Sequence, residues 1–134
     1  MREIRIGDVY RIRMSVENGI VPKPGDESRN KYFIVLGFDS DGCVYGGVII
    51  NSRINANMPL HIKDWHMPIK RSKYGFLDHD SFVDCSSLKR APLNKFHSLR
   101  YLGLIDEEDV RLILGTIKES PQESRAHLAR FGIL

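Results

Sequence analysis

The sequence predicts a mainly β domain that forms a small antiparallel barrel and ends in C-terminal helices. Two runs of aromatic and β-branched residues, 32–38 and 44–50, flank a turn and predict a buried hairpin. Apolar residues at helical spacing appear near the end of the chain. With 134 residues, 42% of them hydrophobic, the chain fits one domain with its own core. We predict a barrel over about 5–90, a helix over about 106–118 and a C-terminal helix over about 121–131.

The hairpin carries signals for both its turn and its curvature. Residues 39–42, Asp-Ser-Asp-Gly, favour chain reversal, because Asp and Ser bond to nearby backbone and Gly42 accepts positive φ. Gly46 and Gly47 interrupt the second strand, which suits a bulge or a tight bend. Such a bend would curl a small sheet into a barrel.

Four other segments favour extended structure. Residues 9–14 alternate apolar and polar side chains, as a half-buried strand does. Pro68 confines its strand to an edge or a sheet margin. Between the first strand and the hairpin, residues 15–30 are interrupted by Pro and Gly and predict a long loop, which is either a connector or a binding segment. The predicted strands outside the hairpin are 9–14, 59–62, 65–69 and 82–85.

Each predicted helix has its own start signal. Asp106 is a good N-cap, acidic residues fill the next turn, and apolar residues at 110, 113, 114 and 117 form one face. Residues 120–123, Ser-Pro-Gln-Glu, form a capping box with proline at the first helical position. Gly132 marks the end of this second helix.

Composition argues against several classes of protein. Cys43 and Cys85 lack the paired spacing of a zinc or redox site, so we expect buried thiols and no metal or cofactor. The N-terminal residues do not resemble a signal peptide, and no apolar run is long enough for a membrane span, so we predict a cytoplasmic protein with no membrane contact. A net charge of +3 permits a nucleic-acid partner without requiring one.

Polar, cationic residues flank the open end of the hairpin. Residues 28–31, Ser-Arg-Asn-Lys, enter it, and residues 51–53, Asn-Ser-Arg, leave it. Antiparallel strands joined by a tight turn bring their far ends together, so these flanks should form one cationic cleft. The alternative is that polar residues end the strands simply because loops are solvated.

Two further stretches could contribute to a site. Lys70, Arg71 and Lys73 precede Tyr74, a mixture that binds phosphates and stacks on a base, or that forms a solvated loop. His79 lies between two aspartates, with Ser81 two residues away. This grouping can hold an imidazole for proton transfer, or it can be a turn whose side chains bond to nearby backbone.

The order of these features resembles the PemK/MazF toxins over most of residues 5–118. The matching marks are Gly-Asp-Val-Tyr at 7–10, the hairpin, Val-Asp-Cys-Ser at 83–86 and Gly-Leu-Ile-Asp-Glu-Glu-Asp at 103–109. The resemblance implies a small SH3-like barrel of the PemK/MazF/CcdB type with a C-terminal helix. It also implies a homodimer that cuts single-stranded RNA without a metal and is neutralised by an antitoxin protein.

Three positions depart from the family pattern. Lys31 replaces the Arg of an Arg-Pro pair, and Asn51-Ser52 replaces Thr or Thr-Ser. Asp84 stands where some members carry the Arg of Arg-Cys-Asp. The cation lost at 84 must then come from elsewhere in the cleft. From this resemblance and from the chemistry of the residues themselves, we predict Ser52, Arg53, Lys31, Asp84 and His79 as catalytic residues. The predicted RNA-binding residues are Arg29, Asn51, Lys70, Arg71, Lys73 and Tyr74.

Two main functions follow from these residues. The first is a metal-independent endoribonuclease toxin, with Asp84 or His79 as the base and Arg29, Lys31 and Arg53 as an electrostatic clamp. The second is a barrel that has lost catalysis and binds nucleic acid or a protein partner. A mainly structural dimer is a third possibility.

Overall fold

The computed structural model describes residues 3–53 and 58–134, except the side chain of His61. In these ranges the chain forms six strands, three α-helices and three short 3-10 turns. The strands are β1 (Asp8–Ser15), β2 (Ser28–Phe38), β3 (Val44–Asn51), β4 (His66–Ile69), β5 (Ser81–Pro92) and β6 (Tyr101–Leu104). The helices are α1 (Leu60–Lys63), α2 (Glu107–Glu119) and α3 (Arg125–Arg130), and the 3-10 turns are Val16–Asn18, Leu93–Lys95 and Ser98–Arg100.

The six strands form one sheet in the order β4-β5-β3-β2-β1-β6, and every neighbouring pair is antiparallel. The prediction of a mainly β domain with C-terminal helices is confirmed. The sheet is not closed: no ladder joins β4 to β6 within the described residues. Pro68 lies in β4, at one edge, as predicted.

β-bulges, which bend a sheet locally, flank the predicted glycine pair. The β2–β3 register shifts between Val35 and Gly37, opposite Gly46 and Gly47. On the other side of β3 the register also shifts, so that residues 85–88 of β5 lie opposite Val48 alone. A Cβ atom at Gly47 would lie 2.0 Å from the carbonyl oxygen of Ile34. Glycine is therefore required for the close approach of the strands at this bend.

Apolar side chains are buried on both faces of β2 and β3. On one face Ile34 and Val48 belong to a cluster that includes Ile113 of α2 and Phe131 after α3. On the other face the neighbouring residues, such as Phe33, join a second cluster. Aromatic rings there meet edge to face, with Phe33 and Phe96 centroids 5.7 Å apart. Burial on both faces explains the continuous apolar runs of the hairpin.

The predicted N-terminus of the first C-terminal helix is confirmed. The Oδ1 atom of Asp106 accepts a hydrogen bond from the backbone N–H of Asp109 at 2.8 Å. The second helix begins later than predicted, at Arg125, and its N-cap is Ser124. Residues 120–123 are not helical because they bind β5 instead. Ser120 donates to the carbonyl of Ser86 at 2.5 Å, and Glu123 accepts from the N–H of Leu88 at 2.6 Å.

Two smaller predictions are wrong. Residues 59–62 lie in the first turn of α1 rather than in a strand. Cys43 is exposed at the tip of the hairpin, whereas Cys85 is buried as expected, and burial raises the pKa of the Cys85 thiol to about 12. None of the helices in the described ranges is both long and apolar enough to cross a bilayer.

Candidate functional site

A cleft of about 580 Å³ lies where the open end of the hairpin meets β1 and the segment before β5. Among the described residues that line it, three are cations and Asp78 is the one carboxylate. The other polar side chains among these residues carry three hydroxyls, one amide and one imidazole. The lining residues are Arg11, Arg29, Asn30, Lys31, Tyr32, Ile50, Ser52, Leu77, Asp78, His79, Ser81 and Leu102.

The two flanks of the hairpin lie together, as predicted from antiparallel pairing. Tyr32 pairs with Ile50, so the next residues along the two strands, Lys31 and Asn51, lie side by side. The Nζ atom of Lys31 donates to Oδ1 of Asn51 at 2.8 Å. Arg29 and Ser52 also line the cleft. The structure therefore brings four of the predicted site residues into one region.

The cleft takes residues from both faces of the sheet. Directly paired residues share a face, so Lys31 lies on the face of Ile12, whereas Arg11 lies on the face of Tyr32. The second face includes Arg11, which sequence reasoning did not place in the site. The alternation of β1 indicated that Arg11 points outward, but only the β1–β2 register shows that it borders the cleft.

Lys31 is the cleft residue with the most altered ionisation. Burial, and after it the positive charge of Arg29, lower the pKa of its ammonium group to about 8. The carboxylate of Asp84 opposes both effects. An ammonium group with a pKa this close to neutrality can both attract a phosphate and release a proton.

His79 is exposed in the cleft, and its ring is oriented by backbone. Its Nδ1 atom lies 2.9 Å from the carbonyl oxygen of Asp80. A carbonyl oxygen only accepts, so Nδ1 carries the proton and the lone pair of the neutral ring is on Nε2. The Asp80 carboxylate is turned away and accepts from the N–H of Arg71 at 2.9 Å. Ser81 donates to the carbonyl of His79 at 3.0 Å.

Asp84, which we predicted as a catalytic base, is not among the residues that line the cleft. It is 6% exposed, and its Oδ1 atom accepts hydrogen bonds from the N–H and the hydroxyl of Ser86 at 2.9 and 2.6 Å. Its charge raises the pKa of Lys31 and of Lys89, in opposition to the effect of burial. Asp84 is therefore a buried counter-charge for two lysines.

The predicted RNA-binding group at 70–74 also lies outside the cleft-lining residues. The Nζ atom of Lys73 lies 2.7 Å from the carboxylate of Asp106 and 3.0 Å from that of Asp109. Hydrogen bonds to these carboxylates raise the pKa of Lys73, that with Asp106 most strongly. Tyr74 is 6% exposed, and its hydroxyl donates to Asp109. These two residues anchor the start of α2, and the Tyr74 ring cannot stack on a base.

The two other cations of this group are also engaged. Lys70 forms an ion pair with Asp80 at 3.5 Å, and Nε of Arg71 donates to the carbonyl of Leu77 at 3.0 Å. Arg53 is exposed but is not among the residues that line the cleft. The cationic character of the cleft therefore comes from Arg11, Arg29 and Lys31.

Sequence reasoning also missed His66, which lies behind the cleft. Its Nε2 atom is 3.0 Å from Nδ2 of Asn51, and its Nδ1 atom is 3.0 Å from the carbonyl oxygen of Ile62. No pattern in the sequence predicted these contacts, because they depend on the three-dimensional arrangement of α1, β4 and β3.

Comparison with known proteins identifies no relative of this chain. No protein-family model matches the sequence, and no curated protein matches it significantly. In the described ranges no group of three or more His, Cys, Asp or Glu side chains could hold a metal ion. What the cleft can do therefore follows from its own residues and their geometry.

Proposed function

We propose that this protein binds single-stranded RNA in the cleft and cleaves it as a metal-independent endoribonuclease of the PemK/MazF toxin type. The observation that supports this proposal is the composition of the cleft. Three cations face one carboxylate there, beside an imidazole whose Nε2 lone pair is available. Cations bind the phosphate backbone, and an imidazole is the commonest base for transfer of a hydroxyl proton.

The cleft residues account for each step of RNA transesterification. The Nε2 atom of His79 takes the proton of the 2′-hydroxyl, and the resulting oxygen attacks the neighbouring phosphorus. Arg29 and Arg11 stabilise the extra negative charge that develops on the phosphoryl oxygens. The bond to the 5′-oxygen breaks, and the Lys31 ammonium donates a proton to that oxygen. The products are a 2′,3′-cyclic phosphate and a 5′-hydroxyl.

This assignment differs from the family pattern at one position. The resemblance places a cation at 84, but the chain has a buried carboxylate there. In our proposal Arg29 and Arg11 supply the missing charge, since both border the cleft. Ser52, which also lines it, donates a hydrogen bond to the phosphate.

We also propose that the bent sheet is an SH3-like barrel whose β4 and β6 margins are not paired. The double register shift at Gly46 and Gly47 supports this proposal, because such bulges increase the local bend and twist of a sheet. A homodimer, an antitoxin partner and a cytoplasmic location belong to the same proposal and rest on the resemblance. Light scattering of the purified protein would test the dimer.

A second candidate function is RNA binding without cleavage. The observation that favours it is the environment of Asp84, a buried carboxylate hydrogen-bonded to Ser86, which stands where some members of the family carry a catalytic arginine. The positively charged cleft would then bind RNA electrostatically and leave it intact.

A cleavage assay with a labelled single-stranded RNA of mixed sequence, in the presence of a chelator, separates the two functions. We expect wild-type protein to yield cyclic-phosphate ends. The His79→Ala variant should cut about 100-fold more slowly and bind RNA equally well. The Arg29→Ala variant should bind RNA more weakly and cut it more slowly, whereas Arg125→Ala, which changes an exposed arginine on α3, should alter neither. Bound but intact RNA would favour the second function, and an absence of binding would exclude both.

A further inference from the structure

A chain of three hydrogen bonds connects α1 to the cleft. The carbonyl oxygen of Ile62 lies 3.0 Å from Nδ1 of His66, and Nε2 of His66 lies 3.0 Å from Nδ2 of Asn51. The Oδ1 atom of Asn51 in turn accepts from Nζ of Lys31 at 2.8 Å. The three side chains come from β4, β3 and β2, and the contact between His66 and Asn51 passes over β5, which lies between β4 and β3 in the sheet.

The groups at the two ends of this series of hydrogen bonds determine which atom donates and which accepts in each bond. A carbonyl oxygen can only accept, so Nδ1 of His66 carries the ring proton and Nε2 of the neutral ring can only accept. Asn51 must then turn its NH₂ group to His66 and its oxygen to Lys31. An ammonium group can only donate, so this is also the orientation that Lys31 requires. Every bond therefore has one donor and one acceptor.

We propose that His66 is a positioning residue for Lys31. By accepting from the amide of Asn51, His66 holds the amide oxygen against the Lys31 ammonium and keeps that ammonium at the cleft. The inference rests on the proposed function, in which Lys31 donates a proton to the leaving oxygen. His66 itself touches no RNA, since it is not among the residues that line the cleft.

Loss of the acceptor on residue 66 has a definite consequence for Lys31. Without it the Asn51 amide is free to rotate, and the ammonium of Lys31 loses its fixed acceptor. Lys31 is partly buried beside Arg29, where the charged form is already disfavoured. Removing an acceptor for the ammonium disfavours that form further and leaves more neutral, acylatable amine at pH 7.

Competitive acetylation with acetic anhydride, analysed by peptide mass spectrometry, tests this directly. We expect His66→Leu to raise the rate of Lys31 acetylation at pH 7 about threefold or more, relative to exposed Lys23 in the same sample. His66→Gln places an amide oxygen near the position of Nε2 and should restore the wild-type rate. An unchanged or lower rate in His66→Leu, or equal rates in the two variants, would overturn the proposal.

A second measurement needs no variant and so covers the case in which His66→Leu does not fold. Nitrogen NMR of the wild-type imidazoles should find His66 protonated on Nδ1 alone at pH 8, and a ring protonated on Nε2 would overturn the proposal. Neither measurement uses RNA, so a failed cleavage assay and a failed positioning role are distinguishable. If both hold, cleavage by the variants should follow the acetylation results, with Gln active and Leu impaired.

Discussion

At the scale of single residues, two lysines, Lys31 and Lys89, are held in the fold near one buried carboxylate, that of Asp84. Lys31 and Lys89 both have a lowered pKa, mainly because burial disfavours their charged forms. The buried carboxylate of Asp84 offsets this cost for both. A lysine with a pKa near neutrality is a better proton donor for catalysis than an ordinary lysine. Burying its charge lowers the stability of the folded protein.

This cost predicts a dependence of stability on pH. Below pH 8 Lys31 is charged in both folded and unfolded chains, so the destabilisation is fully present. Between pH 8 and its unfolded pKa of 10.5 the unfolded chain binds more protons, so the free energy of unfolding should rise with pH. We expect the Lys31→Met variant to show a rise about 1 kcal/mol smaller between pH 7.5 and 10, after allowance for solvent screening.

Urea unfolding at the two pH values measures this difference. Lys23→Met, which removes an exposed lysine, is the matched control and should behave like wild type. Equal rises in wild type and Lys31→Met would contradict the prediction.

At the scale of elements, two glycines in different surroundings predict opposite effects of the same substitution. A Cβ at Gly47 would lie 2.0 Å from the Ile34 carbonyl and 2.8 Å from the Phe33 ring, so Gly47→Ala should destabilise the protein by about 3 kcal/mol or more. Gly115 lies on the exposed side of α2 with no atom within 4 Å of the added Cβ. Gly115→Ala should therefore stabilise it by about 0.5–1 kcal/mol.

Thermal melting compares the two variants directly. A near-normal melting temperature for Gly47→Ala would show that the bend is not built as described. A melting temperature below that of wild type for Gly115→Ala would contradict the open placement of Gly115 on α2.

The attachment of the C-terminal segment to β5 predicts a second effect at this scale. The Glu123 side chain is 3% exposed and accepts from the N–H of Leu88 at 2.6 Å and from Nδ1 of His127 at 2.7 Å. Glu123→Ala leaves the N–H of Leu88 without its partner and should cost about 2 kcal/mol. Glu123→Gln keeps an accepting oxygen and should cost less.

Hydrogen exchange at the Leu88 amide measures the attachment locally. Exchange should become faster in Glu123→Ala than in Glu123→Gln. The same exchange rate in all three proteins would mean that another group protects this amide.

At the scale of the whole molecule, the net charge of +3 matters less than its distribution. Three arginine or lysine side chains border one cleft, while Lys73 and Lys70 are paired with carboxylates elsewhere. RNA affinity should therefore fall as salt rises, because bound counterions are displaced from the RNA.

The salt dependence of RNA binding tests this distribution. Arg29→Ala should make the slope of log affinity against log salt shallower by about 0.7, the value for one lost phosphate contact on a single strand. Arg125→Ala should leave the slope unchanged. Equal slopes for wild type and Arg29→Ala, measured by fluorescence anisotropy, would show that Arg29 does not contact an RNA phosphate.

Sequence reasoning succeeded where the governing interactions are local and failed where they are not. The hairpin, its glycine bend and the adjacency of Lys31 and Asn51 follow from turn chemistry and strand pairing. The partners of Lys73, by contrast, lie more than 30 positions along the chain in the first turn of α2. A cation beside an aromatic residue therefore indicated RNA, although its charge is used to anchor a helix.

The start of α3 was mispredicted for a similar reason. The capping box at 120–123 is a valid local signal, but Ser120 and Glu123 bind β5 instead. The orientation of the Asp84 side chain could not be predicted from the sequence either, because it depends on the bulge that follows Asp84 in β5.

The hairpin tip offers a practical handle on the molecule. Cys43 is exposed there, while Cys85 is buried with its thiol pKa raised to about 12, so a maleimide dye should react at one position in the unmodified chain. The eight residues of β3 separate that position from the open end of the hairpin, a distance of about 26 Å. A fluorophore placed there can report tumbling or energy transfer to a labelled oligonucleotide without obstructing the groove that would receive it.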